Sequence, residues 1–248
     1  MRNRQYSFLA ILFLLFFAAC GKKEFNIGRE NPEQEIQKCI KLSDKKKYEE
    51  SIECLEIFKS RFAETSYGQE AELRIADNYF KQKEYLLAAD TYQMFLKLYP
   101  VHSKADYASF RMGLSYLKEA PKAIDRDQTY LKSAIEHLEY AVRNFPKSQY
   151  ADETKLSLKQ AKERVAKREF YVGRFYYRTG EYLAAITRFQ RIDEKYSGTP
   201  VHAKSLYYWY RSDLKLNNKE EASRVLTKLQ LNYPDDKLTR KAAKKVKN

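Results

Sequence analysis

Two aspartates, three histidines and three cysteines are the side chains here whose types could do chemistry. Asp125 and Asp127 bracket Arg126 in KEAPKAIDRDQTYLKS, residues 118–133. Carboxylates this close can divide acid and base roles, provided a shaped pocket drives their pKa values apart. The surrounding stretch is polar and reads as an exposed loop, so the pair lacks that pocket. Asp127 is better placed as the N-cap of a helix starting near Gln128. His102, His137 and His202 are too scattered for a metal site, and two of them sit in a Val-His pair just after a recurring turn. The chain has no GxSxG, HExxH, CxxC or glycine-rich phosphate loop. No catalytic and no metal-ligating residue is assigned, and the chain reads as a non-enzyme without a cofactor.

The cysteines point elsewhere. MRNRQYSFLAILFLLFFAAC opens with Arg2 and Arg4, runs through 12 apolar residues from Phe8 to Ala19, and ends in two alanines before Cys20. That run falls short of the roughly 20 residues a membrane-spanning helix needs. It resembles a bacterial lipoprotein signal, in which the cysteine is acylated and begins the mature chain; Phe17 stands where leucine is usual. An ordinary cleaved signal is the alternative. Residues 1–19 are read as the signal, Cys20 as the site of a covalent lipid, and 20–32 as a tether. Export permits a disulfide between Cys39 and Cys54. Two small buried apolar residues would look the same in sequence, and both readings stay open.

Among the elements that must carry these side chains, glycine (7) and proline (6) are scarce, charged residues make up 32% and tyrosine reaches 21. This composition favours helices throughout, with large contact residues that keep a polar tip. Self-similarity is the strongest signal. KKYEESIECLEIFKSRFAETS, KEYLLAADTYQMFLKLYPVHS, TYLKSAIEHLEYAVRNFPKSQ, GEYLAAITRFQRIDEKYSGTP and NKEEASRVLTKLQLNYPDD each open polar and end in an aromatic or proline turn. The turn falls at Ala63, Pro100, Pro146, Ser197 and Pro234, spaced 37, 46, 51 and 37 residues. A second helix precedes each, with Leu73, Ile75, Ala76 and Tyr79 in one and Val172, Gly173 and Tyr176 in another. Close packing of two helices needs small residues face to face, so Ala76 is expected toward Ala88 and Gly173 toward Ala185, with Tyr92, Phe95 and Phe189 filling the groove to the next pair. Proline then ends each helix. No pair can bury its apolar face alone. The expected fold is all-α, a superhelical solenoid of five tetratricopeptide-like helix pairs.

The two irregular spacings differ in kind. The third-to-fourth exceeds 37 by 14 residues, about four turns or roughly 21 Å, which returns to the same helix face. One long helix is expected there, joining two sub-bundles. The second-to-third exceeds 37 by 9, about two and a half turns, which changes the face, and it contains Pro121. That insertion is expected to be a loop at 118–130, between N-terminal repeats in 33–117 and C-terminal repeats in 131–234; residues 235–248 form a basic tail.

The net charge is +14, of which six positive charges lie in the last twelve residues, KLTRKAAKKVKN. An exported protein does not meet nucleic acid, so anionic lipid headgroups or an acidic partner suit this charge better. Leu238, Ala242 and Val246 fall four apart, as in a basic helix with a thin apolar stripe; a solvated, frayed terminus is the other reading.

Several segments together resemble the BamD family, the lipoproteins of the bacterial outer-membrane β-barrel assembly machinery. They are the lipid-type signal, RFAETSYGQEAELRIADNYFK, FLKLYPVHSKADYASFRMGL, the insertion ending in DRDQT, NFPKSQYADETKL and FYYRTGEYLAAITRFQRIDEKY. The run Tyr99, Pro100, His102, Asp106, Tyr107 and the triplet Asp125, Arg126, Asp127 are the most specific, because a generic repeat does not demand them. Ala63 and Ser197 depart from the usual proline. The resemblance implies a lipid-anchored, non-catalytic scaffold on the periplasmic face of the outer membrane. Its implied partners are a barrel-forming subunit with periplasmic domains, other assembly lipoproteins and unfolded outer-membrane substrates. By motif, Arg188 in AAITRFQRI is the expected docking residue, and Arg61 with Tyr67 in RFAETSY the expected groove for a substrate's C-terminal signal. The triplet is expected to fix the joint between the two halves by local ion pairing and capping, as a hinge. The alternative is another lipid-anchored periplasmic scaffold, acting in envelope constriction or peptidoglycan coordination.

Overall fold

The computed structural model describes residues 25–28 and 31–246. Cys20 and the signal segment lie outside the described residues. Two compact units divide within one helix, the first ending at Ala71 and the second starting at Glu72.

The first unit holds α1 (Pro32–Asp44), α2 (Tyr48–Phe62) and the start of α3 (Ser66–Gln82). Proline at the first helical position costs no hydrogen bond, and the Asn31 side chain accepts from the Gln34 N–H at 3.1 Å to cap α1. Cys39 and Cys54 are both buried and joined in a disulfide, with Cα atoms 5.4 Å apart. Of the two readings left open, the bridged one holds, and burial accompanies it. Closing a loop of this length stabilises by about 3 kcal/mol. The Ser51 hydroxyl donates to the Cys39 carbonyl at 2.8 Å beside the bridge.

The second unit continues α3 and adds α4 (Tyr85–Leu98), α5 (Ala105–Glu119), α6 (Thr129–Asn144), α7 (Ala151–Thr179), α8 (Tyr182–Lys195), α9 (His202–Lys215), α10 (Lys219–Asn232) and α11 (Lys237–Val246). From α4 to α10 each helix packs on the next. The all-α array of helix pairs expected from the repeat is present, including its long helix, the 29-residue α7. Its first half contributes Ala161 and Val165 to one core with Phe110, Leu131 and Leu138. Its second half contributes Phe170 to another with Phe189, Leu206, Trp209 and Leu226.

A 37-residue period governs the turns inside the pairs as well. Lys46, Lys83, Gly180 and Asn217 all adopt positive φ, between 58° and 89°. A left-handed residue lets the chain reverse between two helices at minimum length. The third pair has no such residue, because the stretch between α5 and α6 replaces the tight turn. At the far end of α4, α6, α8 and α10 an aromatic C-cap (Tyr99, Phe145, Tyr196, Tyr233) leaves helical geometry. Proline follows three of these four caps and forbids continuation.

Two packing expectations need correction. What presses on Gly173 is Phe189, not Ala185: a Cβ there would lie 2.6 Å from the ring. The glycine makes room for an aromatic ring, so the larger residue reaches into its own pair. The Asp125–Arg126–Asp127 stretch is not an ion-paired joint. All three are exposed, and among the described residues no ion pair holds them. Buried Gln128 occupies the cap position, with its Nε2 donating to the carbonyls of Ala123 (2.9 Å), Arg126 (3.2 Å) and Pro121 (3.4 Å). Arg164 of α7 donates to the carbonyls of Leu117, Ala120 and Pro121 at 3.1, 2.9 and 2.7 Å. Asp127 therefore sits one residue outside the cap, accepting from the Thr129 hydroxyl at 2.7 Å. The loop is pinned through its backbone.

The basic tail is helical: in α11, Ala242 is buried and Leu238 packs on the core that holds Tyr207 and Tyr210. Among the described residues no helix is long and apolar enough to cross a membrane.

Candidate docking and peptide-binding sites

Arg188 lies on α8 facing α7. Its Nη1 donates to Glu169 Oε2 at 3.2 Å, and Arg191 Nη1, one turn further, donates to Glu169 Oε1 at 3.2 Å. The Glu169 side chain is 7% exposed, between residues of the buried face of α7, whereas Arg188 is 30% exposed. A buried carboxylate must be paired, so Arg188 has a structural duty. A guanidinium has five N–H donors, so one bond to Glu169 leaves donors facing outward. The result is an arginine held in place and still able to meet an acidic partner. Glu169 was missed from sequence, although a carboxylate interrupting the run Val165, Ala166, Phe170, Gly173 was a readable signal.

Arg61 and Tyr67 flank the turn from α2 to α3, in the first unit. Thr65 ties that turn: its hydroxyl donates to the Phe62 carbonyl at 2.7 Å and accepts from the Gly68 N–H at 3.1 Å. Gly68 is required, since a Cβ would fall 2.2 Å from the Phe62 oxygen. Arg61 is exposed and Tyr67 half-buried. Glu35 is held below the usual carboxylate range chiefly by the Lys38 ammonium at 2.6 Å, with smaller pulls from the Gly28 backbone and the Arg61 charge.

Two polar networks in the second unit were also missed. Asp77 accepts from the Tyr92 and Tyr107 hydroxyls, the latter at 2.6 Å, while Arg111 donates to Tyr92 at 3.2 Å and lies 3.7 Å over the Phe80 ring. Burial first, and then Asp77, push both phenols up. The second network joins His202 to Asp193 at 2.9 Å and to Tyr233 at 2.8 Å, with Lys228 donating to the other Asp193 oxygen. This buried histidine ties α8, α9 and the end of α10 together. His102 instead accepts the Lys104 N–H at 3.0 Å, and His137 stacks on Tyr116. Among the described residues no group of three or more His, Cys, Asp or Glu is arranged to hold a metal. A groove of about 740 Å³ between α4, α5 and α6 is lined by Met94, Leu96, Met112, Tyr140 and Phe145 under a rim of both charges.

An array of helix pairs with exposed basic and aromatic side chains is the architecture of a binding scaffold. The chain matches the YfiO family, described as outer membrane lipoprotein, over residues 30–229, and it belongs to that family. The outer membrane protein assembly factor BamD of Rickettsia prowazekii is 29% identical over 209 residues, covering 84% of this chain and 83% of the relative. That of Neisseria meningitidis serogroup B is 28% identical over 196 residues, covering 75% and 73%. Among solved structures, the TPR2AB-domain:pHSP90-complex of yeast Sti1 aligns with a TM-score of 0.43 at 16% identity, covering 89% of this chain and 86% of that one.

Proposed function

We propose that this chain is a non-catalytic scaffold of the outer membrane that works in assembling β-barrel outer-membrane proteins. It is held by lipid on Cys20 at the periplasmic face. The observation that carries this reading is the family match across residues 30–229; the names of the relatives, assembly factors in each case, support it. Arg188 docks an acidic site on the barrel-forming subunit, with Glu169 and Arg191 fixing its orientation. Arg61 and Tyr67 take the C-terminal carboxylate and aromatic side chain of an unfolded substrate. The groove lined by Met94 and Tyr140 is a second location for that ligand, favoured by its apolar floor. Affinity isolation from detergent-solubilised envelope tests the core of the proposal. A β-barrel protein with tandem periplasmic domains should co-purify, and its absence would sink the reading. Arg188→Glu should weaken that association with the far-UV circular dichroism unchanged; an unaltered yield would remove Arg188 from the docking site.

A further inference from the structure

Where α11 packs on α9, a pocket of about 210 Å³ is lined by Tyr207, Tyr210, Arg211, Leu214, Lys215 and Ala242. Its walls carry two phenols and two cations but no carboxylate. Tyr207 and Tyr210 are only 4% and 2% exposed. Among the described residues neither hydroxyl has a hydrogen-bond partner, and neither Arg211 nor Lys215 has an ion pair. Arg211 is held by ring faces instead, 5.3 Å from the Tyr177 centroid and 5.8 Å from that of Tyr207, so its N–H donors remain available. Burial, and then Tyr207, push the Tyr210 phenol up, which keeps it a donor. Four donors around a space without an acceptor fit an oxoanion, whose charged oxygens accept from all of them. The volume is below the roughly 300 Å³ at which pockets for larger ligands begin, so the group that enters is small.

The outer face of α11 extends the same charge. Lys237, Arg240, Lys241 and Lys244 are exposed along one stripe, and the helix, KLTRKAAKKV, has no acidic residue. Thr239 and Ala242 are buried on its other side and hold it in place. Protein interfaces are depleted in lysine and centre on aromatic or apolar anchors, and this stripe has none. A bilayer with anionic headgroups attracts each such cation, and the family, described as outer membrane lipoprotein, places the chain beside a bilayer. Leu214, 42% exposed on the pocket wall, offers apolar surface next to the charges.

We propose that α9 and α11 form a membrane contact separate from the lipid on Cys20: the pocket seats the phosphate of an anionic phospholipid, with Tyr207, Tyr210, Arg211 and Lys215 donating to its oxygens, while the α11 stripe lies along neighbouring headgroups. The inference rests on the family's place at a membrane and needs neither Arg188 nor the anchor.

The chain from residue 21 on keeps every described residue, and without its lipid it reads the protein surface alone. It is floated with vesicles of phosphatidylcholine, or of a two-to-one mixture of phosphatidylcholine and phosphatidylglycerol. Binding to the mixed vesicles is expected, with little to the neutral ones. Arg211→Gln combined with Lys215→Gln should weaken it about 25-fold, at about fivefold per charge. Tyr210→Phe keeps every charge and the ring, and should weaken it about threefold. Lys45→Gln combined with Lys46→Gln removes two exposed cations elsewhere and should leave binding unchanged. Equal affinity for neutral vesicles, an unaltered Kd in the pocket variants, or an equal loss in the Lys45 and Lys46 variant would overturn the proposal. So would displacement by glycerol phosphate at matched ionic strength, which would give the pocket to a soluble phosphate, or by a glutamate hexamer, which would give the face to an acidic protein. None of these results bears on co-isolation through Arg188.

Discussion

Asp193 and Asp213 sit on neighbouring helices, both largely shielded from water, and they are driven in opposite directions. Burial alone would raise both. At Asp193 the hydrogen bonds from Lys228 and His202 outweigh it and hold the carboxyl below the usual range. At Asp213 burial is reinforced by the charge of Glu221, and Arg224 and Trp209 do too little to offset it, so the carboxyl is pushed up to about 6. Depth is therefore a poor guide to a carboxylate's role, and partners decide it. A carboxylate with hydrogen-bond partners on both oxygens is part of the frame, as Glu169 is too. One with no cation on its buried oxygen holds its proton more tightly.

The comparison breaks most readily at Asp193. Asp193→Ala would strand the His202 ring and the Lys228 ammonium, and the loss of a paired, largely buried ion should cost about 3 kcal/mol. Urea unfolding at pH 7 measures it. A loss below about 1 kcal/mol would mean that the network contributes no more than a surface ion pair.

The opposite sign is expected at Asp213. Its folded pKa is raised, so between about pH 4 and 6 the folded state holds the proton more tightly than the unfolded chain. Its contribution is favourable below that window and is lost as pH rises through about 6. Asp193, with a lowered folded pKa, contributes above its unfolded value and loses that contribution as pH falls. Asp213→Asn should accordingly match the parent at pH 4 and be more stable by about 1 kcal/mol at pH 7.5, a figure reduced for the solvent that still reaches its surroundings. Equal stability at both pH values would show that the oxygen has a partner after all.

The contrast between these two aspartates was not legible in the sequence, whereas the frame that holds them was. Small residues such as Ala76, Ala88 and Ala185 recur beside large aromatics at fixed spacing, and turns led by an aromatic residue repeat every 37 residues where nothing is inserted. Such local, periodic information survives without coordinates. Gly180 and Asn217 announce their left-handed turns by type, but Lys46 and Lys83 do not, because the fold imposes that conformation on an ordinary residue. The polar pairs are different again. Asp193 meets Lys228 across 35 positions, and Arg164 reaches back 43 to 47 positions to the insertion. A sequence shows that Asp213 is an aspartate on a helix; only packing shows that one of its oxygens has been left alone. Arg188 was singled out by motif, whereas its buried counterpart Glu169 was passed over although its place in an apolar run could have shown it.

Asp127 supplies the low end of the scale. It is an exposed carboxylate, lowered chiefly by the Thr129 hydroxyl, with further help from nearby backbone N–H groups and the Arg168 charge. Water already solvates it well, so Asp127→Asn should leave the unfolding midpoint where it is. Gln128→Ala is the informative counterpart, since it removes the buried amide that gathers three carbonyls of the loop. Hydrogen exchange should accelerate across residues 121–127 in that variant and stay unchanged in Asp127→Asn. If Asp127→Asn loosened the loop as much as Gln128→Ala, the triplet itself would be the fastening, and an exposed carboxylate would rank beside the buried ones.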